Sequence, residues 1–166
     1  MISASRVGKN INKRGLDVNI YFVSLRKQTK TTMNMDTAIF IARRIAAQSI
    51  LLSEEAVEKL ASILIRTELK KGALFLSEGE VCTQLGYVYK GMVRQFYFKN
   101  KKELTEHFAS EDNIFICIES FLRQRPANLL VEALENTVLY GIPHDPLLAL
   151  CAEDYEIEVM YRRLLE

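Results

Sequence analysis

Between Thr67 and Ile142 the chain breaks into short apolar segments: Leu74-Phe75-Leu76, Leu85 to Tyr89, Met92 to Phe98, Leu104 to Phe108, Leu129 to Leu134 and Val138 to Ile142. Polar turn signals separate them, Lys71-Gly72, Glu78-Gly79-Glu80, Lys90-Gly91 and Lys99-Asn100-Lys101-Lys102. Segments this short at this close spacing predict β-strands of a sandwich or barrel. Glycine is scarce, seven in 166 residues. Gly72, Gly79 and Gly91 at strand corners are therefore expected to occupy positive φ, which other residues adopt at a cost. One stretch breaks the pattern. Asn113 to Leu122 carries Ile114, Phe115, Ile118, Phe121 and Leu122 at helical spacing, which predicts a short helix interrupting the strands.

Helical patterns flank this region. From Asp36 the residues Ile39, Phe40, Arg43, Arg44, Ala46 and Ala47 fit an amphipathic helix capped by Asp36 or Thr37. A second helix starts at Ser53, with Glu54 and Glu55 on the positive end of its dipole, and repeats Val57, Leu60, Ala61 and Leu64 up to Ile65. After Ile142, Pro143-His144-Asp145-Pro146 reads as a helix start, with Asp145 as cap and Pro146 at the first helical position, running to about Ala152. Asp154 opens a last helix whose Ile157, Met160, Tyr161 and Leu164 form one apolar stripe. Such a stripe packs either on its own domain or on a partner helix; a dimer seam is the expectation retained here.

Charge divides the chain at residue 34. Residues 1–34 carry a net +6 and read as a basic, disordered tail, with Met35 as an alternative natural start; residues 35–166 carry −5 and form the domain. A body of that sign does not match a phosphate backbone, because nonspecific nucleic-acid affinity comes from Lys and Arg neutralising phosphates. With 49% apolar and 26% charged residues the chain can build a packed core. No apolar run is long enough to span a bilayer. Cys82, Cys117 and Cys151 are widely spread and odd in number, which fits reduced thiols and a cytoplasmic setting. His107 and His144 are too far apart in sequence to build a histidine-rich metal centre, so metalloenzyme chemistry is not expected.

Two leading helices, the order Lys71-Gly72, Glu78-Gly79-Glu80, Val88-Tyr89-Lys90-Gly91, and a helix-interrupted strand pair ending in Val131-Glu132-Ala133-Leu134-Glu135 resemble the cyclic-nucleotide-binding sensor domain of Crp/Fnr-type bacterial transcription regulators. The likeness covers about residues 36 to 166. It implies a mainly β fold, a double-stranded β-helix jelly roll with flanking N-terminal helices and a C-terminal dimerisation helix. It also implies a homodimer in which a small effector in the roll reorients DNA-reading heads. The helix-turn-helix head of the family is not in this sequence, so DNA would be reached only through that further domain.

In the family a short helix between two strands forms the nucleotide cassette: a glutamate accepts from the ribose hydroxyl and an Arg-Ser or Arg-Thr pair grips the cyclic phosphate. Counting back without gaps from Val131-Glu132-Ala133 puts Ala127-Asn128 where Arg-Ser is expected and Cys117 where the glutamate is expected. Losing an arginine's paired bonds, about 1.5–3 kcal/mol each, disfavours a cyclic nucleotide as ligand. Glu119, Arg123, Arg125 and Asn128 are the candidate ligand-binding residues, since a shift of one or two positions would restore both partners. No cofactor is assigned and the effector is unnamed. Two competing readings stay open. A cupin-type metal-dependent enzyme uses the same roll but needs about three histidines and a carboxylate; the other is an interaction module that has lost its ligand.

Overall fold

The computed structural model describes residues 34–166; but for Asn34, the basic tail expected over 1–34 lies outside the described residues. Helices α1 (Met35–Ala46) and α2 (Glu54–Ser62) lead into eight strands, β1 (Ile65–Leu69), β2 (Leu74–Leu76), β3 (Gln84–Lys90), β4 (Val93–Lys99), β5 (Lys102–Ala109), β6 (Ile114–Phe115), β7 (Leu130–Ala133) and β8 (Thr137–Pro143). A short helix α3 (Ile118–Arg123) separates β6 from β7, and α4 (His144–Glu153) and α5 (Tyr155–Leu164) close the domain. The strands form two antiparallel four-stranded sheets, β1-β8-β3-β6 and β2-β7-β4-β5. This is the sandwich that the turn spacing predicts and the jelly roll that the family resemblance implies.

The three corner glycines hold positive φ as expected, 79° at Gly72, 88° at Gly79 and 92° at Gly91. Two others serve a different purpose. Gly86 and Gly141 pair directly between β3 and β8, and a Cβ on Gly86 would fall 2.2 Å from the Phe115 ring. The missing side chain lets Phe115 lie over the sheet, where its ring meets Phe75 edge-on at 5.3 Å.

The helices cover one sheet. Ile41, Ala42 and Ile45 of α1, Val57 and Leu60 of α2, Leu147 of α4, and Ile157 and Met160 of α5 join one core with Leu85, Tyr87, Leu139 and Ile142 from β3 and β8. Asp112, in the turn between β5 and β6, fastens α1 to the roll: it pairs with Arg44, accepts from the Tyr87 hydroxyl at 2.5 Å, and its carbonyl accepts from Gln48 Nε2 at 2.9 Å. At the far end Asp154 caps α5 by accepting from the Glu156 and Ile157 N–H groups and also takes Lys59 Nζ of α2 at 2.9 Å. Glu156 in turn accepts from the Ser53 N–H at 2.7 Å.

The second sheet has its own small apolar cluster of Leu74, Phe96 and Leu130. Arg94 on β4 ties three strands together. Its Nε and Nη2 reach Glu132 on β7 at 2.9 and 2.7 Å, Nη2 reaches Glu103 on β5 at 3.0 Å, and the guanidinium lies 4.3 Å from the Phe96 ring centre.

Several boundaries differ from the sequence reading. The cap of α1 is Asn34, whose side chain accepts from the Asp36 N–H, rather than Asp36 or Thr37. The second helix stops at Ser62, and Ile65 already belongs to β1, where Ile65, Thr67 and Leu69 alternate with Arg66 and Glu68. Asn113 to Leu122 is not one helix: Ile114 and Phe115 pair with Tyr87 and Gly86 as β6, and helix begins only at Ile118. At the other end, α4 starts at His144 behind Pro143 with no side-chain cap, so Asp145 lies inside the first turn.

Candidate functional site

A cavity of about 470 Å³ opens where α3 and the loop after it meet β4 and β5. Gln95, Cys117 and Ala127 are buried at its base, and Glu106, His107 and Arg125 stand exposed at its rim. Each is placed by an identifiable local device.

The base is built by side chains that satisfy backbone groups. Gln95 is a buried amide on β4; its Nε2 donates to the Ile116 carbonyl at 3.1 Å and lies 3.4 Å from Cys117 Sγ. This fixes the chain just before α3. On the other side of α3, Ser120 Oγ accepts from the Cys82 N–H at 2.9 Å and donates to the Arg125 carbonyl at 2.5 Å. Gln124 ends α3 in the left-handed conformation, with φ 47° and ψ 47°. Its Nε2 folds back on the Phe121 carbonyl at 2.6 Å, replacing a partner that the last turn of a helix lacks. Beneath the helix, Phe121 is fully buried and meets the His144 ring edge-on at 4.9 Å.

The loop after α3 is held equally firmly. Ala127 donates its N–H to the Glu80 carbonyl and accepts from the Gly79 N–H, both at 2.8 Å, and Val81 bridges to Pro126. Ala127 is therefore pinned on both sides, and its side chain is a single buried methyl.

The rim comes from an irregularity in β5. Gln95 pairs with His107 while Phe96 pairs with Thr105, so Glu106 is an extra residue opposite one position of β4. Such a bulge breaks the alternation of a strand and re-aims side chains. Here both Glu106 and His107 line the cavity.

Of the four residues predicted to bind a ligand, Glu119, Arg125 and Asn128 line this cavity. Arg123 does not. It sits on the exposed side of α3 and forms a 3.5 Å ion pair with Glu119 one turn earlier. The positions reached by counting back from β7, Cys117, Ala127 and Asn128, all lie on the cavity wall. Gln95, Glu106 and His107 are not among the residues predicted to bind a ligand. The ionisable side chains of the wall are Glu106, His107, Cys117, Glu119 and Arg125, so carboxylates outnumber guanidinium groups. Among the described residues no group of three or more His, Cys, Asp or Glu could hold a metal ion, and no helix is long and apolar enough to cross a membrane.

The stripe on α5 divides in two. Ile157 and Met160 are fully buried in this chain's own core, while Tyr161 and Leu164 are half-buried against it. Tyr155, at the start of the same helix, is 77% exposed.

Solved structures share the fold. A cyclic nucleotide-binding domain from Methylobacillus flagellatus superposes with a TM-score of 0.67 at 21% identity, covering 78% of this chain and 77% of that one. The sensor domain of the transcriptional regulator DNR from Pseudomonas aeruginosa gives 0.63 at 16% identity, over 76% and 83% of the two chains. The catabolite activator protein of Thermus thermophilus gives 0.61 at 23% identity over 69% of this chain and 54% of its own. No curated protein matches at the level of sequence. The model of the cyclic nucleotide-binding domain matches residues 66–154, from β1 through α4, and on that match the chain belongs to the cyclic nucleotide-binding domain family.

Proposed function

We propose that the domain is the effector-sensing and dimerisation part of a Crp/Fnr-type transcription regulator, that its phosphate-binding cassette is degenerate, and that it is not an enzyme. Family membership and the likeness to sensor domains of transcriptional regulators support the regulatory role. The observation that carries the degeneracy is Ala127. It sits at the position of the family's phosphate-gripping arginine, pinned by backbone bonds on both sides, and offers a buried methyl where a cation is needed. Arg125, the nearest substitute, stands at the rim with Glu106 and Glu119 on the same cavity wall. An anion entering there meets two carboxylates for one guanidinium. The effector this wall suits is therefore small and neutral or weakly basic, held by Gln95, Asn128 and His107.

Thermal unfolding with cyclic AMP, cyclic GMP and a panel of uncharged metabolites tests this reading. A ligand present at 100 times its Kd and binding only the folded form adds about 2.7 kcal/mol of stability. No rise in Tm is expected with either nucleotide, and a rise is expected with a member of the panel. Micromolar binding of cyclic AMP by calorimetry would end the claim of degeneracy. In the same reading the protein pairs with a second copy in the cytoplasm through the half-buried flank of α5, Tyr161 and Leu164. DNA would be reached only through a further domain. Light scattering of the parent and of Leu164→Glu should read a dimer and a monomer; a monomeric parent would remove the seam.

A further inference from the structure

Cys82 and Cys117 lie 35 residues apart in sequence, yet the fold brings them to one place. The Cys82 N–H is bonded to Ser120 in the first turn of α3, and Cys117 is the residue from which that turn starts. Both side chains belong to one buried cluster, and the thiol and backbone N–H of Cys117 act on the Cys82 thiol. As a thiol, Cys82 donates to the Gln84 carbonyl at 3.3 Å; as a thiolate it accepts from Cys117 and from the Gln84 backbone. Gln95 Nε2 lies 3.4 Å from Cys117 Sγ.

Both residues are buried in the core, but each also forms the wall of a cavity. Cys117 lines the candidate effector cavity, and Cys82 lines a second one of about 480 Å³ bounded by Phe75, Glu80 and Gln84. A small reagent can thus reach the pair from two directions. The ionisable neighbours are His144, which favours the Cys82 thiolate, and Glu106, which disfavours that of Cys117. The Cys117 groups hold the Cys82 thiol down to about 7 against the burial that raises it, whereas Cys117, acting as their donor and itself desolvated, is pushed up. Of the two, Cys82 is thus the thiol more readily ionised and Cys117 the proton-bearing partner. Cys151, half-buried and raised by burial, has neither feature.

We propose that Cys82 and Cys117 form a redox modification site, in which a hydroperoxide oxidises Cys82 and Cys117 resolves the product to a disulfide that clamps the start of α3 to the loop before β3. The Cys82 thiolate attacks the distal oxygen of the peroxide, the O–O bond breaks, and the alkoxide leaves with a proton as alcohol, leaving Cys82 as a sulfenic acid. Cys117 then forms the S–S bond, the S–O bond of Cys82 breaks, and hydroxide departs with the Cys117 proton as water. Two thiols are oxidised by two electrons and one peroxide is reduced. The site does not depend on the cavity being an effector pocket.

The test treats the folded chain with cumene hydroperoxide, alkylates the remaining thiols and maps the peptides by mass. The alkylatable thiols should fall from three to one, with a linked peptide joining residues 82 and 117 that dithiothreitol releases. Cys117→Ser should stop at a Cys82 sulfenic acid trapped by dimedone, Cys82→Ser should leave Cys117 unoxidised, and Cys151→Ser should still lose two thiols. Three free thiols after treatment, or a bond made through Cys151, would overturn the assignment. Should either serine variant fail to fold by circular dichroism, the peptide map of the parent chain decides alone.

Discussion

The two sheets of the roll face opposite conditions. In β1-β8-β3-β6 the central strands β3 and β8 are buried along most of their length beneath the helices, while β5, at the edge of β2-β7-β4-β5, is exposed at seven of its eight positions. The covered sheet is held by packing, with Gly86 making room for the Phe115 ring and Gly141 for the Gln84 side chain. The open sheet is held by charge-assisted bonds through Arg94, and its exposed edge is charged, with Lys102, Glu103 and Glu106. Charge on an edge also discourages pairing with another chain. The cavity lies beside the open sheet, where the irregularity in β5 puts Glu106 and His107 on its wall.

That contrast can be tested by substitution, beginning where the effect should be greatest. Leu139→Ala in β8 removes a fully buried side chain and should cost about 2–5 kcal/mol in urea unfolding. A loss below about 1 kcal/mol would mean that the covered sheet does not rely on its packing. Arg94→Met keeps much of the apolar stem but leaves Glu132, with a side chain only 15% exposed, without its cation. The expected cost is about 1–3 kcal/mol. Because solvent screening of this pair is partial, raising the salt should narrow the gap only slightly.

Asp154→Ala removes the cap of α5 and the partner of Lys59, and about 0.5–2 kcal/mol is expected at neutral pH. The Lys59 ammonium holds the Asp154 carboxyl below its ordinary range. Its folded value is thus lower than its unfolded one, so its contribution is present above the unfolded value and disappears as pH falls through the folded one. Parent and variant should converge in stability in acid, and a constant gap between them would refute the coupling. At the small end, Phe108→Ser in the exposed edge strand should change stability by no more than about 0.5 kcal/mol. A larger loss would show that β5 is covered in solution.

What the sequence revealed follows from how local each signal is. Gly72, Gly79 and Gly91 were readable because positive φ is demanded by the turn itself, and Ser53 and Asp154 because a cap bonds its own helix. Gly86 was not, since its need comes from the Phe115 ring, 29 residues away in the chain. β1 was hidden because Leu64 and Ile65 continue the apolar pattern of α2 directly into the strand with no breaker between. For the site, Cys117, Ala127 and Asn128, the positions counted back from β7, lie on the cavity wall because α3 and the loop after it, which form that wall, lead directly into β7. Glu106 and His107 could not be oriented in that way, as the bulge exists only in the register between β4 and β5.

The bonds from Lys59 to Asp154 and from Ser53 to Glu156 have a mechanical consequence. They rivet the second helix to the last one, and the helix between Pro143 and Asp154 rests directly on β8. A displacement of that central strand would therefore swing the amino-terminal and carboxy-terminal helices together as a single lever, so that one motion inside the roll is delivered at both ends of the domain.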